Sequence, residues 1–274
     1  MLKLRVITAL LLAPLVILGV LKLSNPMFSG ALLLVILLCG NEWARLAGLR
    51  GIAERLFYLL SMAGLMIGLW LNASDPVLNL AILAIAGIWM GMTAALFVWG
   101  RKPLQQVSNQ PVVALFGLML LPFAWFSLSR LHLSSEVGPQ LTLALLFLIW
   151  LADTAAYFGG KRFGRNKLSP VLSPNKTWEG FFSAMLSALL WVVVVKQLIA
   201  VPVGYVSLTA IALIVASVSV AGDLFESMVK RRDGEKDSGR LLPGHGGVWD
   251  RIDSLVSAAP VFLALMIMLG GFDG

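Results

Sequence analysis

Val201-Pro-Val-Gly-Tyr-Val-Ser-Leu-Thr-Ala-Ile-Ala-Leu-Ile-Val-Ala-Ser-Val-Ser-Val-Ala-Gly222 contains no charged side chain, and the residue that follows it is Asp223. About 20 apolar residues are enough for a helix to cross the ~30 Å hydrocarbon layer of a bilayer. The stretch therefore reads as a transmembrane helix that delivers a carboxylate to the membrane surface. Eight more uncharged apolar runs flank it: Val6–Leu21, Met27–Asn41, Leu56–Ser74, Pro76–Gly100, Pro111–Ser129, Val137–Ala152, Gly180–Val195 and Ser254–Phe272. Several are short for a full crossing and must tilt or borrow polar flanks, with Glu42 and Asp153 as the expected additions. No small-residue cleavage pattern stands near Ser24-Asn25-Pro26, so the first run is expected to remain as a span.

Composition agrees with this partition. Of 274 residues, 59% are hydrophobic and 13% charged, with a mean hydropathy of +0.89. Soluble domains carry about 45–50% apolar and about 25% charged residues. An ordinary soluble enzyme, a disordered chain and a secreted disulfide scaffold are all excluded. The single cysteine, Cys39, lies in an apolar run and reads as a small buried hydrophobe. The expected fold is all-α: a polytopic membrane protein of about nine transmembrane helices forming one membrane-embedded unit, residues 1–274. Within it, 1–136 is poor in distinctive motifs, and 137–274, which holds most of the carboxylates, is expected to be the catalytic part.

The basic residues set a direction. With the N-terminus inside, only Lys22, Arg130 and Lys196 of the 21 lysines and arginines fall on the outer side. Basic residues accumulate on the cytoplasmic side of membrane proteins. The N-terminus is thus expected in the cytoplasm and the C-terminus outside. The net charge of +7 has this topological origin, and scattering over membrane loops argues against nucleic acid as a partner. Arg45, Arg50, Arg55, Arg101 and Lys102 read as lipid-headgroup contacts. Trp43, Trp150, Trp178, Trp191 and Trp249 stand near span ends and read as interfacial anchors, and His132 reads as an incidental residue of an outer loop.

Most connections are short, but 159–179 and 223–253 are long and both are cytoplasmic in this topology. With Asp153 they hold most of the carboxylates and about half of the basic residues. Mixed charge beside apolar helices suggests a polar site at the membrane surface. The second loop should begin by continuing the eighth helix, which places Asp223, Glu226, Ser227, Lys230 and Arg231 on one stripe. Asp233-Gly234 and Ser238-Gly239 then break it. Pro243-Gly244-His245-Gly246-Gly247 offers bare backbone to a ligand. The ninth helix is expected to open near Val248, with Asp250 and Asp253 three apart at its start. Carboxylates without Cys or His partners favour a hard cation such as Mg²⁺. Basic side chains and a glycine-rich loop favour phosphate. Such a combination suits phosphoryl or nucleotidyl transfer.

These residues carry a resemblance. Ser227-x-Val-Lys230-Arg231, four residues, Lys236-Asp237-x-Gly239, then Leu242-Pro243-x-His245-Gly246-Gly247-Val-x-Asp250-Arg251-Ile-Asp253 resembles the signature of the phosphatidate cytidylyltransferases, also called CDP-diacylglycerol synthases. Ser173-Pro-Asn-Lys-Thr-Trp-Glu-Gly180 and Asp153-Thr-Ala-Ala-Tyr-Phe-Gly-Gly-Lys161 are further family-like stretches. The resemblance implies a Mg²⁺-dependent reaction of CTP with phosphatidic acid to give CDP-diacylglycerol and pyrophosphate. It also implies a homodimer, a bacterial-type inner-membrane location and a site on the cytoplasmic side. Asp223, Asp250 and Asp253 are the expected metal ligands, with Asp237 next. Lys230, Arg231, Lys236 and Arg251 are expected on phosphates, His245 as a hydrogen-bond donor, and Gly246 and Gly247 as backbone donors. Ser173, Asn175, Lys176, Thr177 and Ser227 are expected to bind substrate, and Thr177 could also cap the seventh span. Two rivals are a transporter with a basic vestibule and another lipid-activating enzyme, such as a lipid kinase or a CDP-alcohol phosphotransferase. The charges sit at one side only, and the Asp-Gly-x-x-Ala-Arg string of the phosphotransferases is absent from the sequence.

Overall fold

A backbone that crosses hydrocarbon finds no water to bond, so each apolar run must satisfy its own N–H and C=O groups as a helix. The computed structural model describes residues 2–99, 110–133, 137–232, 234–235, 237–239, 241 and 246–272, with side chains from Leu11 onward except at residue 99. Nine helices follow one another among these residues: α1 (Leu2–Lys22), α2 (Asn25–Leu46), α3 (Ile52–Leu71), α4 (Val77–Trp99), α5 (Gln110–Leu133), α6 (Gly138–Phe163), α7 (Trp178–Leu198), α8 (Tyr205–Arg232) and α9 (Trp249–Met268). They match the nine apolar runs one for one. Eight are long and apolar enough to cross a membrane, and the part of α1 with described side chains, Leu11–Lys22, is apolar but shorter.

Two boundaries differ from the sequence reading. α6 runs on through Asp153 to Phe163, so Gly159 and Gly160 lie in a helix rather than opening a loop. Missing side chains at Gly159 and Gly180 let α6 cross close to α7: a Cβ on Gly159 would run into Ser183 of α7, and one on Gly180 of α7 would stand 2.7 Å from the Ala156 carbonyl oxygen and 3.3 Å from the Gly160 Cα. The loop that follows contains a small antiparallel hairpin, β1 (Lys167–Ser169) and β2 (Ser173–Thr177), in a chain otherwise read as all-α. Leu168 and Leu172 are buried beneath it. Thr177 caps α7 by accepting from Gly180 N at 3.2 Å, as its position before an apolar run suggests. Glu179 holds the hairpin's base, accepting from Asn166 Nδ2 at 2.8 Å and from Arg165 N at 3.1 Å.

The helix ends sort into two groups, as alternating spans require. At one end His132 Nε2 donates to Val20 O (2.9 Å), while its Nδ1 accepts from Asn25 Nδ2 (3.2 Å). Arg130 donates to Asn79 Oδ1 (2.6 Å) and lies over the Phe272 ring. These contacts join α1, α2, α4, α5 and the C-terminal segment. His132 is thus a buried tie, 4% exposed and stacked on Phe28, and not an incidental loop residue. At the other end α2, α8, α9 and the hairpin meet.

That meeting rests on close packing of α8 and α9, whose contact face is rich in small residues. Small residues let helices approach where lipid supplies no hydrophobic drive. Ser257 Oγ donates to Val218 O at 3.1 Å across the two helices. Trp43 and Trp249 sit 4.5 Å apart by ring centroids and are buried, as is Trp191. These three are core residues and not interfacial anchors. Each indole finding an acceptor stays inside at low cost: Trp43 donates to Val113 O (2.7 Å) and Trp191 to Ala144 O (2.9 Å). Cys39 is fully buried, as its surroundings suggest.

Candidate active site

α8 leaves the apolar core at Gly222. A Cβ there would stand 2.9 Å from the Asp253 carbonyl oxygen and would run into the Ser257 hydroxyl. The bare glycine therefore lets α9 lie against α8 one residue before the first carboxylate. As a result Asp223 and Glu226 of α8 and Asp253 of α9 present oxygen atoms that all lie within 4.8 Å of one another. Glu226 stood on the α8 stripe without an assigned role, and no motif singled out Gly222, for which the Ser219-x-x-Gly222 spacing of small residues was the available signal. Gly222→Ala is expected to wedge the helices apart, cost about 1–3 kcal/mol through overpacking, and lower turnover about 100-fold because the carboxylates no longer converge. Steady-state rates beside thermal unfolding in detergent check this. An unchanged rate would mean that the helix approach does not set the site.

Lysines meet this cluster from two sides. Lys176 Nζ of β2 pairs with Asp223 Oδ2 at 2.8 Å. Burial works against the Lys176 charge, but Asp223, with Asp153 and Asp253 behind it, holds the ammonium pKa above the usual lysine value. Lys230 Nζ bridges Glu226 Oε2 (2.9 Å) and Asp250 Oδ1 (2.8 Å). Asp153, Asp223, Glu226, Asp250 and Asp253 thus set five carboxyl groups against two ammonium groups in a partly dry site, an excess that a cation or protons must offset. Glu226 is 4% exposed, and its Oε1 atom is buried with no hydrogen-bond partner. A buried carboxylate oxygen left this way is costly unless a cation or proton meets it. The all-oxygen donor set suits Mg²⁺.

Asp250 takes a different place from the one expected for a third metal ligand beside Asp223 and Asp253. Its Oδ1 receives Lys230, Oδ2 receives Gly247 N at 2.7 Å, and Ser238 N reaches both oxygens at 3.0 and 3.1 Å. It ties Ser238 and Gly247 of the connection between α8 and α9 to Lys230, and Glu226 stands in the cluster where the sequence grouping put Asp250. Gly246 adopts φ +84°, a left-handed conformation that a side chain would strain. Arg45 also departs from its expected role at lipid headgroups: its Nη2 donates to Ser238 O at 2.6 Å.

The other expected residues spread over the rim. Arg231, Asp237 and Arg251 are exposed, Asn175 is exposed on β2, and Ser173 and Ser227 are half-buried. Arg231 Nη1 donates to Glu235 O at 3.3 Å. Gly246 and Gly247 lie at the start of α9, where Gly247 is buried. Lys236 and His245 lie outside the described residues. Lys230 and Lys176 are committed to carboxylates, so screening the acidic cluster is their evident task in this arrangement.

Comparison with known proteins bears on this site. The model of the cytidylyltransferase family matches residues 3–269. The chain is 39% identical to the phosphatidate cytidylyltransferase of Pseudomonas aeruginosa over 271 residues, covering 98% of each chain. It is 37% identical to that of Haemophilus influenzae over 282 residues, 96% of this chain and 97% of the other. With that of Thermotoga maritima the identity is 34% over 275 residues, again 98% of each.

Proposed function

The chain belongs to the cytidylyltransferase family, and on that premise we propose that it is a membrane enzyme that transfers CMP from CTP to phosphatidic acid, giving CDP-diacylglycerol and pyrophosphate. The observation that carries the site assignment is the convergence of Asp223, Glu226 and Asp253 beside Lys176. Those three carboxylates would hold the divalent cation. When bound, Mg²⁺ supplies charge neutralisation for the triphosphate and the departing pyrophosphate.

The chemistry asks little else of a base. The second pKa of a phosphate monoester is about 6, so phosphatidate is largely dianionic at neutral pH. One of its oxygens attacks the α-phosphorus of CTP. A new P–O bond forms there, the bond to the bridging oxygen of the β-phosphate breaks, and pyrophosphate leaves with that electron pair. The barrier lies in bringing two polyanions into line, which is a task of positioning and screening. Asp250 takes the Gly247 N–H for itself, so that amide orders the approach to α9, and half-buried Gly246 is the described glycine left for phosphate. Arg231 and Arg251, exposed on the rim, are placed for phosphate contact, and Lys236 and His245 are assigned there on the family resemblance. Lys176 and Lys230 keep the acidic cluster from repelling the nucleotide.

The orientation in the proposal rests on the distribution of basic residues: N-terminus and site in the cytoplasm, C-terminus outside, the protein in a bacterial inner membrane. Lys196, one of three outer-side basic residues, donates to Val201 O at 3.1 Å at the end away from the site. The homodimer rests on the family resemblance alone.

The test uses the full chain in detergent with labelled CTP, phosphatidic acid and Mg²⁺. Lipid-bound cytidine and stoichiometric pyrophosphate are expected, with both lost on chelation and restored by Mg²⁺. Formation of CDP with a phosphorylated lipid would instead make it a kinase, and no product at all would refute the enzyme reading.

A further inference from the structure

α2 reaches the site through a residue that no motif marks. Glu42 is 4% exposed, and both of its oxygens are engaged: Oε1 accepts from Val248 N at 3.0 Å, and Oε2 accepts from Trp249 N and the Ser238 hydroxyl, each at 2.9 Å. The first-turn N–H groups of a helix lack partners within it, and α9 has no side-chain cap of its own. A carboxylate more than 200 residues earlier in the chain does that work, in the place where the helix dipole favours negative charge. Glu42 also joins two separated points of the connection between α8 and α9, since it binds both Ser238 and Val248. Gly239 and Gly247 lie so close that a Cβ on either would collide with the Glu42 carboxylate. One turn further along α2, Arg45 holds the Ser238 carbonyl, and Arg232 at the end of α8 donates to Leu46 O at 3.1 Å.

We propose that Glu42 is a positioning residue for cytidylyl transfer: it anchors the first turn of α9, and thereby sets Asp253 against Asp223 and Glu226. The inference rests on the reading of those three carboxylates as the cation site. Asp253 lies one helical turn beyond the N–H groups that Glu42 binds, on a helix end that is also held by its crossing with α8 and, through Asp250, by Lys230 and the Ser238 amide. A rotation or slide of that first turn moves the Asp253 carboxylate directly. Packing alone would accept glutamine, which has the same shape. Glutamine fails electrostatically, because one carboxylate oxygen becomes an NH₂ group facing a donor.

The experiment compares wild type and Glu42→Gln, full-length and in detergent, by Mn²⁺ binding followed with electron paramagnetic resonance, by steady-state kinetics and by thermal unfolding. Folded Glu42→Gln is expected to bind Mn²⁺ about tenfold more weakly and to lose about 10²-fold in kcat, with KM for CTP changed less than about threefold. If that variant does not fold, Ser238→Ala removes one of the three bonds and is expected to weaken Mn²⁺ binding about threefold with a matching fall in kcat. Wild-type Mn²⁺ affinity and kcat in the folded variant, even with a lowered unfolding temperature, would make Glu42 a structural anchor only and overturn the proposal. Wild-type protein that transfers CMP but binds no Mn²⁺ would instead overturn the reading of the carboxylate cluster, and this proposal with it.

Discussion

Asp253→Asn is expected to reduce cytidylyl transfer by about 10²–10³-fold while leaving the protein at least as stable as the wild type. Asp253 stands with Asp223 and Glu226 in a group whose oxygens lie within 4.8 Å. Like charges at that range in a partly dry site repel by several kcal/mol at an effective dielectric of about 20. Folding must bear that repulsion or the cost of protonating a carboxylate to avoid it, so an amide in place of Asp253 relieves it. The same substitution takes away the carboxylate that α9 would offer the proposed cation, the other two of the three being on α8. Function and stability should therefore move in opposite directions, which is the signature of a site assembled for a ligand and not for the fold. Mn²⁺ titration should show at least about a hundredfold loss of affinity, and thermal unfolding without metal an unchanged or higher midpoint. Near-normal turnover at saturating Mg²⁺ would exclude Asp253 from the cation site.

Asp250→Asn should behave in the contrary way, although the two aspartates are three residues apart on one helix. Asp250 receives Lys230 and the backbone N–H groups of Ser238 and Gly247. An asparagine keeps one acceptor and turns a donor toward these donors. Breaking a buried, hydrogen-bonded ion pair from one side costs about 3–5 kcal/mol, because the Lys230 charge and the loop amides are left behind. The unfolding midpoint should fall by about 10 °C. Proteolysis within 233–248 should become faster, and activity should drop with the order of the loop. Mn²⁺ affinity should change less than about tenfold, since Asp250 is not among the clustered oxygens. An Asp250→Asn protein with unaltered stability and no Mn²⁺ binding would reverse the roles assigned to the two residues.

The contrast shows where reading the chain reached its limit. On α8 the spacing of Asp223, Glu226, Ser227 and Lys230 placed them on one stripe, and the structure has Asp223 and Glu226 in the cluster, with Lys230 paired to Glu226. A polar stripe on a helix that is otherwise apolar has a face that can be read. On α9 the same spacing rule put Asp250 and Asp253 on one face, and it was not enough. Asp250 is turned by the Gly247 and Ser238 amides and by Lys230, and the last two stand 12 and 20 residues before it. The hairpin Lys167–Thr177 was read as loop because its polar residues carry no two-residue alternation. It forms because Leu168 and Leu172 have helices to pack against.

The number and order of the spans could be derived from the chain itself. Hydrocarbon leaves the backbone no partner but its own, so an apolar run of sufficient length has one permitted structure. The chemical character of the site was legible for a related reason: charge beside apolar helices is costly, and its concentration in two loops shows where it is used. Tertiary structure alone decided which carboxylates meet, and that Glu42 would hold α9 from the second helix. It also decided that Trp43, Trp249 and His132 lie inside. In spans that are apolar all round, periodicity marks no buried face. The orientation of each helix is then set by where small residues such as Gly222 allow a neighbour to approach, and by which distant donor completes each polar group.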